Sequence, residues 1–309
     1  MARRKSKKKA KKLLGIIIAI ILAFFAYESK DIITEKADVS EFANGDAVYV
    51  HFIDVGQGSS TLIQEGTSGI LIDAGEKDYG QVVIDYLKEA GINSLEYVVA
   101  SHPHSDHIGG LDDVLYAFPV DKIIMPELEE FNTPTTRVYE DLLTAIYDND
   151  IATDFIDGER SYIFGLGDNI NVEVLGPVEQ ISDLNDMSVI LRASAFDAKF
   201  MILGDAEKGE LSSVYKNPMN KLLSIHESSF DSDIIALGHH GSSTSIYEPF
   251  LDAVNADVAV ISCGEGNSYG HPHKEALDYI AKNNMNCLRT DESGDVVFKV
   301  TEDGYSLVK

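Results

Sequence analysis

From residue 47 onward, short apolar runs alternate with polar, glycine-punctuated turns. Residues 47–53 (AVYVHFI) predict a first strand, which runs into the turn Asp54-Val55-Gly56-Gln57-Gly58-Ser59-Ser60; strands at 61–64 and 70–72 follow at once. Three short strands in quick succession are expected to pair antiparallel, as hairpins do. Residues 80–90 place Val82, Val83, Tyr86, Leu87 and Ala90 at helical spacing and stop at Gly91, a helix C-terminal signal. A buried strand at 97–100, a helix at 111–118, a strand at 122–125 and a helix at 136–147 come next. Strand-like runs at 153–156, 162–164, 172–175, 189–195 and 200–203 open a second β-rich half. The remainder predicts a helix at 208–215, a strand at 234–237, a helix at 246–254, a strand at 258–262, a helix at 274–282, and strands near Leu288 and at 296–300. Two β-rich halves with intervening helices predict an α/β (α+β) fold, an αββα sandwich with the site at one sheet edge. Residues 46–309 are expected to form one domain, since no internal linker divides them.

The N-terminus changes the picture of where this domain works. Residues 1–12 hold eight Lys/Arg and no acid, and residues 13–27 form an uncharged apolar run of 15 residues. That is short of the roughly 17–25 residues of a spanning helix, yet it has no polar face that would suit a core or surface helix. An uncleaved membrane anchor is expected, with the basic tail cytoplasmic, residues 28–45 as a linker, and the domain outside the cell. The alternative is a cleaved secretory signal, but with Ala26 at the −1 position Phe24 would occupy −3, where a small residue belongs. Beyond residue 12 the chain holds 17 basic and 51 acidic residues, a net charge of −34. Such a domain repels polyanions at long range and lacks the basic footprint of a nucleic-acid binder. Two cysteines, Cys263 and Cys287, are too few for a disulfide framework and read as ordinary core residues. No feature calls for an obligate protein partner.

The strand at 97–100 delivers Ser101-His102-Pro103-His104-Ser105-Asp106-His107-Ile108-Gly109-Gly110, with three of the nine histidines in six residues. In extended chain, residues two apart point the same way, so His102 and His104 can converge on one point. A turn, permitted by Gly109-Gly110, can aim Asp106 and His107 at a second point. Imidazole and carboxylate suit zinc, manganese or iron, and two such ions can share one water-derived ligand. Asp205 emerges from an apolar run at 200–203, and its two oxygens can bridge two cations. One of His239 and His240, also placed after a buried strand, is expected to add a further nitrogen, with His239 favoured; the other would contact substrate or support a ligand from behind. His271, in the loop Asn267-Ser268-Tyr269-Gly270-His271-Pro272-His273, could hydrogen-bond an oxyanion or protonate a leaving group. His273, His51 and His226 read as structural. Asp54 and Asp73 each end an early strand and could orient ligand histidines from behind.

These residues resemble a known family. His102-Pro103-His104-Ser105-Asp106-His107 is similar to the His-x-His-x-Asp-His signature of the metallo-β-lactamase fold hydrolases, and Gly204-Asp205 to that family's bridging-aspartate motif. Further segments resemble the extracellular hydrolase domain of the ComEC-type competence (DNA-uptake) proteins. They are residues 52–58, 71–75, Asn185-Asp186-Met187-Ser188, Gly238-His239-His240-Gly241-Ser242, Tyr269-Gly270-His271-Pro272 and Arg289-Thr290-Asp291. The resemblance implies two divalent metal ions, zinc or manganese, and hydrolysis of a phosphodiester by metal-activated hydroxide. It implies His102 and His104 on one ion, Asp106, His107 and His239 or His240 on the other, and Asp205 between them. Asp106 and His271 would serve the chemistry directly, and Asn185 and Ser242 would act from the second shell or on substrate. Many family members carry another ligand histidine ahead of the bridging aspartate; residues 174–195 here contain none. The expected substrate is single-stranded DNA or an envelope phosphoester. The other readings are a phosphorylcholine-esterase-like hydrolase and a non-catalytic binding module that keeps the fold.

Overall fold

The computed structural model describes residues 39–158, 162–179, 181–209, 218–225 and 230–309. The expected anchor, the basic tail and His226 lie outside the described residues, and no described helix is long and apolar enough to cross a membrane.

Among the described residues, fifteen strands form two sheets. The first half of the chain supplies β1 (Val48–Phe52), β2 (Thr61–Glu65), β3 (Ser68–Ile72), β4 (Ser94–Val99), β5 (Val120–Pro126) and β6 (Ala152–Ile156). The second half supplies β7 (Tyr162–Leu166), β8 (Ile170–Val174), β9 (Leu191–Ala195), β10 (Ala198–Ile202), β11 (Ile234–Ala236), β12 (Val258–Ile261) and β13 (Asn286–Arg289). β14 (Val296–Thr301) and β15 (Gly304–Leu307) return to the first sheet beside β1. The two halves repeat one topology. Antiparallel strands come first (β1-β2-β3, then β7-β8-β9-β10), followed by parallel strands joined through helices (β3-β4-β5-β6, then β10-β11-β12-β13). The early hairpins are antiparallel as expected. No internal repeat is visible in the sequence, because sheet-on-sheet packing constrains only which positions are apolar.

Strand alternation builds three apolar layers. Val48, Val50, Phe52, Ile63 and Ile70 face Val172, Leu191, Phe200, Ile202 and Val260 between the sheets. The opposite face of the first sheet (Tyr49, Leu62, Leu71) packs on Val83 and Leu87 of helix Gly80–Glu89, Leu111 and Val114 of Leu111–Ala117, and Leu142 of Arg137–Asp148. The opposite face of the second (Met201, Ile235, Ala259) packs on helices Pro218–Ile225, Glu248–Val254 and Lys274–Lys282. This is the αββα sandwich. With both faces covered, its central strands are buried throughout and alternation by polarity is lost.

Some expectations are corrected. Helix Pro218–Ile225 and strand β15 were not foreseen, and the helix expected at 208–215 finds Lys208 and Gly209 in irregular chain with 210–215 outside the described residues. Cys263 is buried, but Cys287 is exposed at an edge strand, so only one of the two is a core residue; neither forms a disulfide. His51 is buried and bonds Tyr86 Oη through Nδ1 at 2.9 Å, a core role.

Candidate metal centre

The C-terminal ends of β1, β3 and β4 in one sheet, and of β10, β11 and β12 in the other, bring their loops to one edge of the sandwich. Short loops after parallel strands are where open α/β sheets present chemistry. The loop after β4 enters a four-residue helix, Ser105–Ile108, with His104 at its N-cap. Two glycines seat this turn by close approach. A Cβ on Gly109, whose φ is an ordinary −58°, would stand 2.4 Å from Lys77 N and from Ser105 O; one on Gly58 would stand 2.5 Å from Asp106 O. Gly58 is therefore needed for contact with the histidine loop and not for positive φ.

Ligand atoms of Asp106, His107, Asp205 and His240 lie within 4.8 Å of one another. His107 is fully buried; its Nδ1–H donates to Asp73 Oδ2 at 2.7 Å, which turns Nε2 to within 3.0 Å of Asp205 Oδ1. Neither His107 Nε2 nor Asp205 Oδ1 makes a hydrogen bond among the described residues, although both are buried. With His107 charged the two atoms face one another as a close buried ion pair outside hydrogen-bond geometry, and a cation taking the place of that proton would satisfy both. His240 Nδ1–H donates to the Ser262 carbonyl at 2.8 Å, leaving Nε2 3.2 Å from Asp106 Oδ2 and 3.8 Å from Asp205 Oδ2. A histidine with one ring nitrogen so anchored presents the other as a ligand. The donor set of two imidazoles and two carboxylates fits a divalent metal.

The proton inventory behind the loop is determinate. Asp73 accepts the Ser101 amide at Oδ1 (2.8 Å) and the Ser101 hydroxyl at Oδ2 (2.6 Å). With its proton so committed, Ser101 Oγ accepts from His102 Nδ1 at 3.1 Å, and His102 Nε2, now unprotonated, accepts from His104 Nδ1 at 3.1 Å. His102 Nε2 also lies 3.8 Å from Asp205 Oδ2. His102 and His104 thus meet as their spacing predicts.

Charges respond to this packing. Burial acts to lower the pKa of His107 but is outweighed by Asp205 and Asp73, which hold it well above the ordinary value. Burial, then the His107 charge, lowers His102 well below it. For Asp205, burial is outweighed by His107 and His240, and the carboxyl stays ionised far below its usual range. For Asp106, burial is outweighed by contact with His240 and the His107 charge when those rings are protonated, and the carboxyl falls to about 2.

His239 and His240 have φ of 50° and 55°, the left-handed region that costs non-glycine residues roughly 1–2 kcal/mol each. The strain turns two adjacent rings in different directions. His240, not the favoured His239, joins the four-residue cluster. His239 donates Nδ1–H to Glu207 Oε1 at 2.8 Å and holds Nε2 3.7 Å from Asp205 Oδ2. Glu207 also accepts from Thr244 Oγ1 (2.9 Å) and Asn185 Nδ2 (3.2 Å), so Asn185 reaches the site through Glu207. Ser242 Oγ pairs with Thr244 Oγ1 at 2.8 Å, one step further back. Asp54 turns away from this network: it accepts the Gly56 amide in its own turn, and among the described residues no hydrogen bond joins it to a ligand histidine. The orienting role proposed for it falls to Asp73 alone.

His271 is brought to the mouth of the centre, its ring 5.6 Å from that of His239 and 6.1 Å from that of His240. Asn267 clamps its backbone on both sides, and Gln57 Nε2 donates to its Nδ1 at 3.5 Å. Burial, then the charges of His240 and His239, lower its pKa to about 4. His273 accepts the Ser243 amide at Nδ1 and meets the Tyr269 carbonyl with Nε2, so both ring nitrogens are structural. The sequence reading missed Glu207, Ser101 and Gln57. Only Ser101, inside the histidine stretch, and Glu207, two residues past Asp205, carried a positional signal.

Residues 53–265 match the profile of the Metallo-beta-lactamase superfamily. The chain is 26% identical over 274 residues to ComE operon protein 3 of Bacillus subtilis (strain 168), covering 81% of this chain and 33% of that protein. It is 31% identical over 256 residues to Competence protein ComA of Neisseria gonorrhoeae, covering 81% and 32%. The chain therefore spans about a third of the length of these curated relatives. Among solved structures, CmlA from Streptomyces venezuelae, described as a diiron beta-hydroxylase, superposes with a TM-score of 0.50 at 10% identity, over 79% of this chain and 53% of that one. At that identity the likeness concerns the fold.

Proposed function

Because the chain belongs to the metallo-beta-lactamase superfamily and is related to competence proteins, we propose that it is a metal-dependent phosphodiesterase acting on single-stranded DNA outside the cell, held at the membrane by residues 13–27. The observation that carries the hydrolase is the convergence of Asp106, His107, Asp205 and His240 on one buried point. His107 and His240 hold their ligand nitrogens in place through Asp73 and Ser262, and Asp205 presents a second oxygen toward His102. Divalent cations bound here supply a water of lowered pKa and stabilise charge on a phosphoryl oxygen. His271 is neutral at pH 7 on its lowered pKa, so it orients phosphate by hydrogen bonding and is a poor proton donor.

Tyr269, 66% exposed, stacks on His271 with the ring planes at 22°. An exposed aromatic face beside a phosphate site suits a nucleobase, and stacking is worth about 1–3 kcal/mol per base. The net charge of −34 beyond residue 12 favours a second reading, a hydrolase of small envelope phosphoesters.

The test uses full-length protein purified without chelator, its metal content, and hydrolysis of bis-p-nitrophenyl phosphate and single-stranded DNA with added zinc or manganese. We expect about two ions per chain and cleavage of both substrates, and Asp205→Ala should lower both rates by about 10³-fold, the scale of losing a principal electrostatic group. Undiminished activity in Asp205→Ala would falsify the reading. Tyr269→Ala should raise KM for DNA several-fold and leave the small diester unchanged; equal effects on both favour the envelope reading.

A further inference from the structure

The cluster of four leaves His102 and His104 bonded to each other, with Asp205 Oδ2 as the acid oxygen next to them. Two nitrogens and one shared oxygen are a thin set for an ion that favours four or more donors. The segment leading into β9 turns most of its polar side-chain atoms to partners behind the site, with Asn185 Oδ1 buried and unpartnered among the described residues. Ser188 Oγ accepts the Asp205 amide at 3.0 Å, Asp186 Oδ1 accepts the Glu207 amide at 3.1 Å, and Asn185 donates to Glu207.

One further nitrogen is aimed at the same oxygen. Asp205 Oδ2 lies 3.8 Å from His102 Nε2, 3.8 Å from His240 Nε2 and 3.7 Å from His239 Nε2. His239 is also anchored as the two clustered histidines are. His107 gives Nδ1–H to Asp73, His240 to the Ser262 carbonyl, and His239 to Glu207 at 2.8 Å. In each case the acceptor fixes the tautomer and leaves Nε2 toward Asp205, the disposition of ligating histidines. Glu207 is itself held by Thr244, Asn185 and the Asp186 contact to its amide, more support than a loosely seated surface histidine requires.

We propose that His239, positioned by Glu207, completes a second divalent-cation site with His102, His104 and Asp205. This deepens the two-ion reading above and rests on it. The consecutive left-handed residues then have a purpose: they send His240 to one ion and His239 to the other. Filling the second site exchanges the His102–His104 hydrogen bond for two bonds to the cation. The set is more open than the first, so the two ions should bind with unequal affinity.

The experiment is a titration of chelator-stripped full-length protein with Mn²⁺ and, in parallel, Zn²⁺, read by calorimetry, with electron paramagnetic resonance on the manganese samples. Wild type should take up two ions, one tight and one weaker, with a spin-coupled signal when both are bound. His239→Asn, chosen because asparagine tolerates positive φ, should keep the tight ion, weaken the second at least tenfold, and lose the coupled signal. Glu207→Gln, which leaves the ligand in place, should weaken the second ion by about 10–100-fold, as outer partners do. Two ions bound to His239→Asn at wild-type affinity overturn the inference. So does a wild type that binds a single ion indifferent to His239→Asn, which still leaves a metallo-hydrolase. A wild type that binds none overturns the hydrolase reading itself.

Discussion

The two sides of the centre are built to different standards. On one side, Asp106, His107, Asp205 and His240 converge, and each histidine is locked by an acceptor behind it, Asp73 for His107 and the Ser262 carbonyl for His240. On the other, His102 and His104 satisfy each other, and the third nitrogen stands across Asp205 on a partly exposed residue. Asp73 lies behind both sides, gripping His107 directly and His102 through Ser101. The difference teaches that spacing in a motif brings ligands together, whereas rigidity comes from what stands behind them. A site with anchored ligands has little ordering entropy left to lose when an ion arrives.

The sharpest way to break this comparison is to remove one nitrogen from each side. His240→Ala should lower the affinity for the first ion by more than about 100-fold, beyond the range of an outer-partner loss, while His104→Ala should leave that ion nearly untouched. Competition titrations with a chromophoric chelator measure both, and equal losses would show that the sides are equivalent. Next in size is Asp73→Asn. The aspartate accepts three donors, and an amide would point N–H groups at some of them, so a loss of about 10–100-fold is expected, again largest for the first ion. Wild-type affinity in this variant would mean that His107 needs no anchor.

The smallest effect concerns protons. His107 in the metal-free protein is held protonated by Asp205 and Asp73 against the opposing pull of burial, and a ligating imidazole must be neutral. Uptake of the first ion should therefore release a proton near neutral pH. Affinity should rise with pH until the folded pKa of His107 is passed, by up to about tenfold per pH unit for one proton. Calorimetric enthalpies that do not vary with buffer ionisation would remove this coupling.

Much of both sides was legible from spacing. His102, His104, Asp106 and His107 sit within six residues after an apolar run, and a strand followed by a tight turn can aim them in few ways. Asp205 was legible as an acid at the end of a buried strand. The choice between His239 and His240 was not: it depends on two successive positive φ values, which local sequence does not impose on histidine. Glu207 was equally hidden, since its partners Asn185, Thr244 and His239 are brought to it from 22, 37 and 32 residues away. Asp54 and Asp73 looked alike as strand-ending acids, yet one caps its own turn and the other anchors the centre.

By itself the sequence determined the apolar layers of an αββα sandwich, the family signature and the chemical type of the ligands, because periodicity and donor chemistry are local properties. The tertiary structure alone decided which histidine faces which partner, which acids stand behind them, and that two topologically repeated halves meet at one edge. Those outcomes rest on contacts between residues far apart in the chain, whose pairing only the packed sheets bring about.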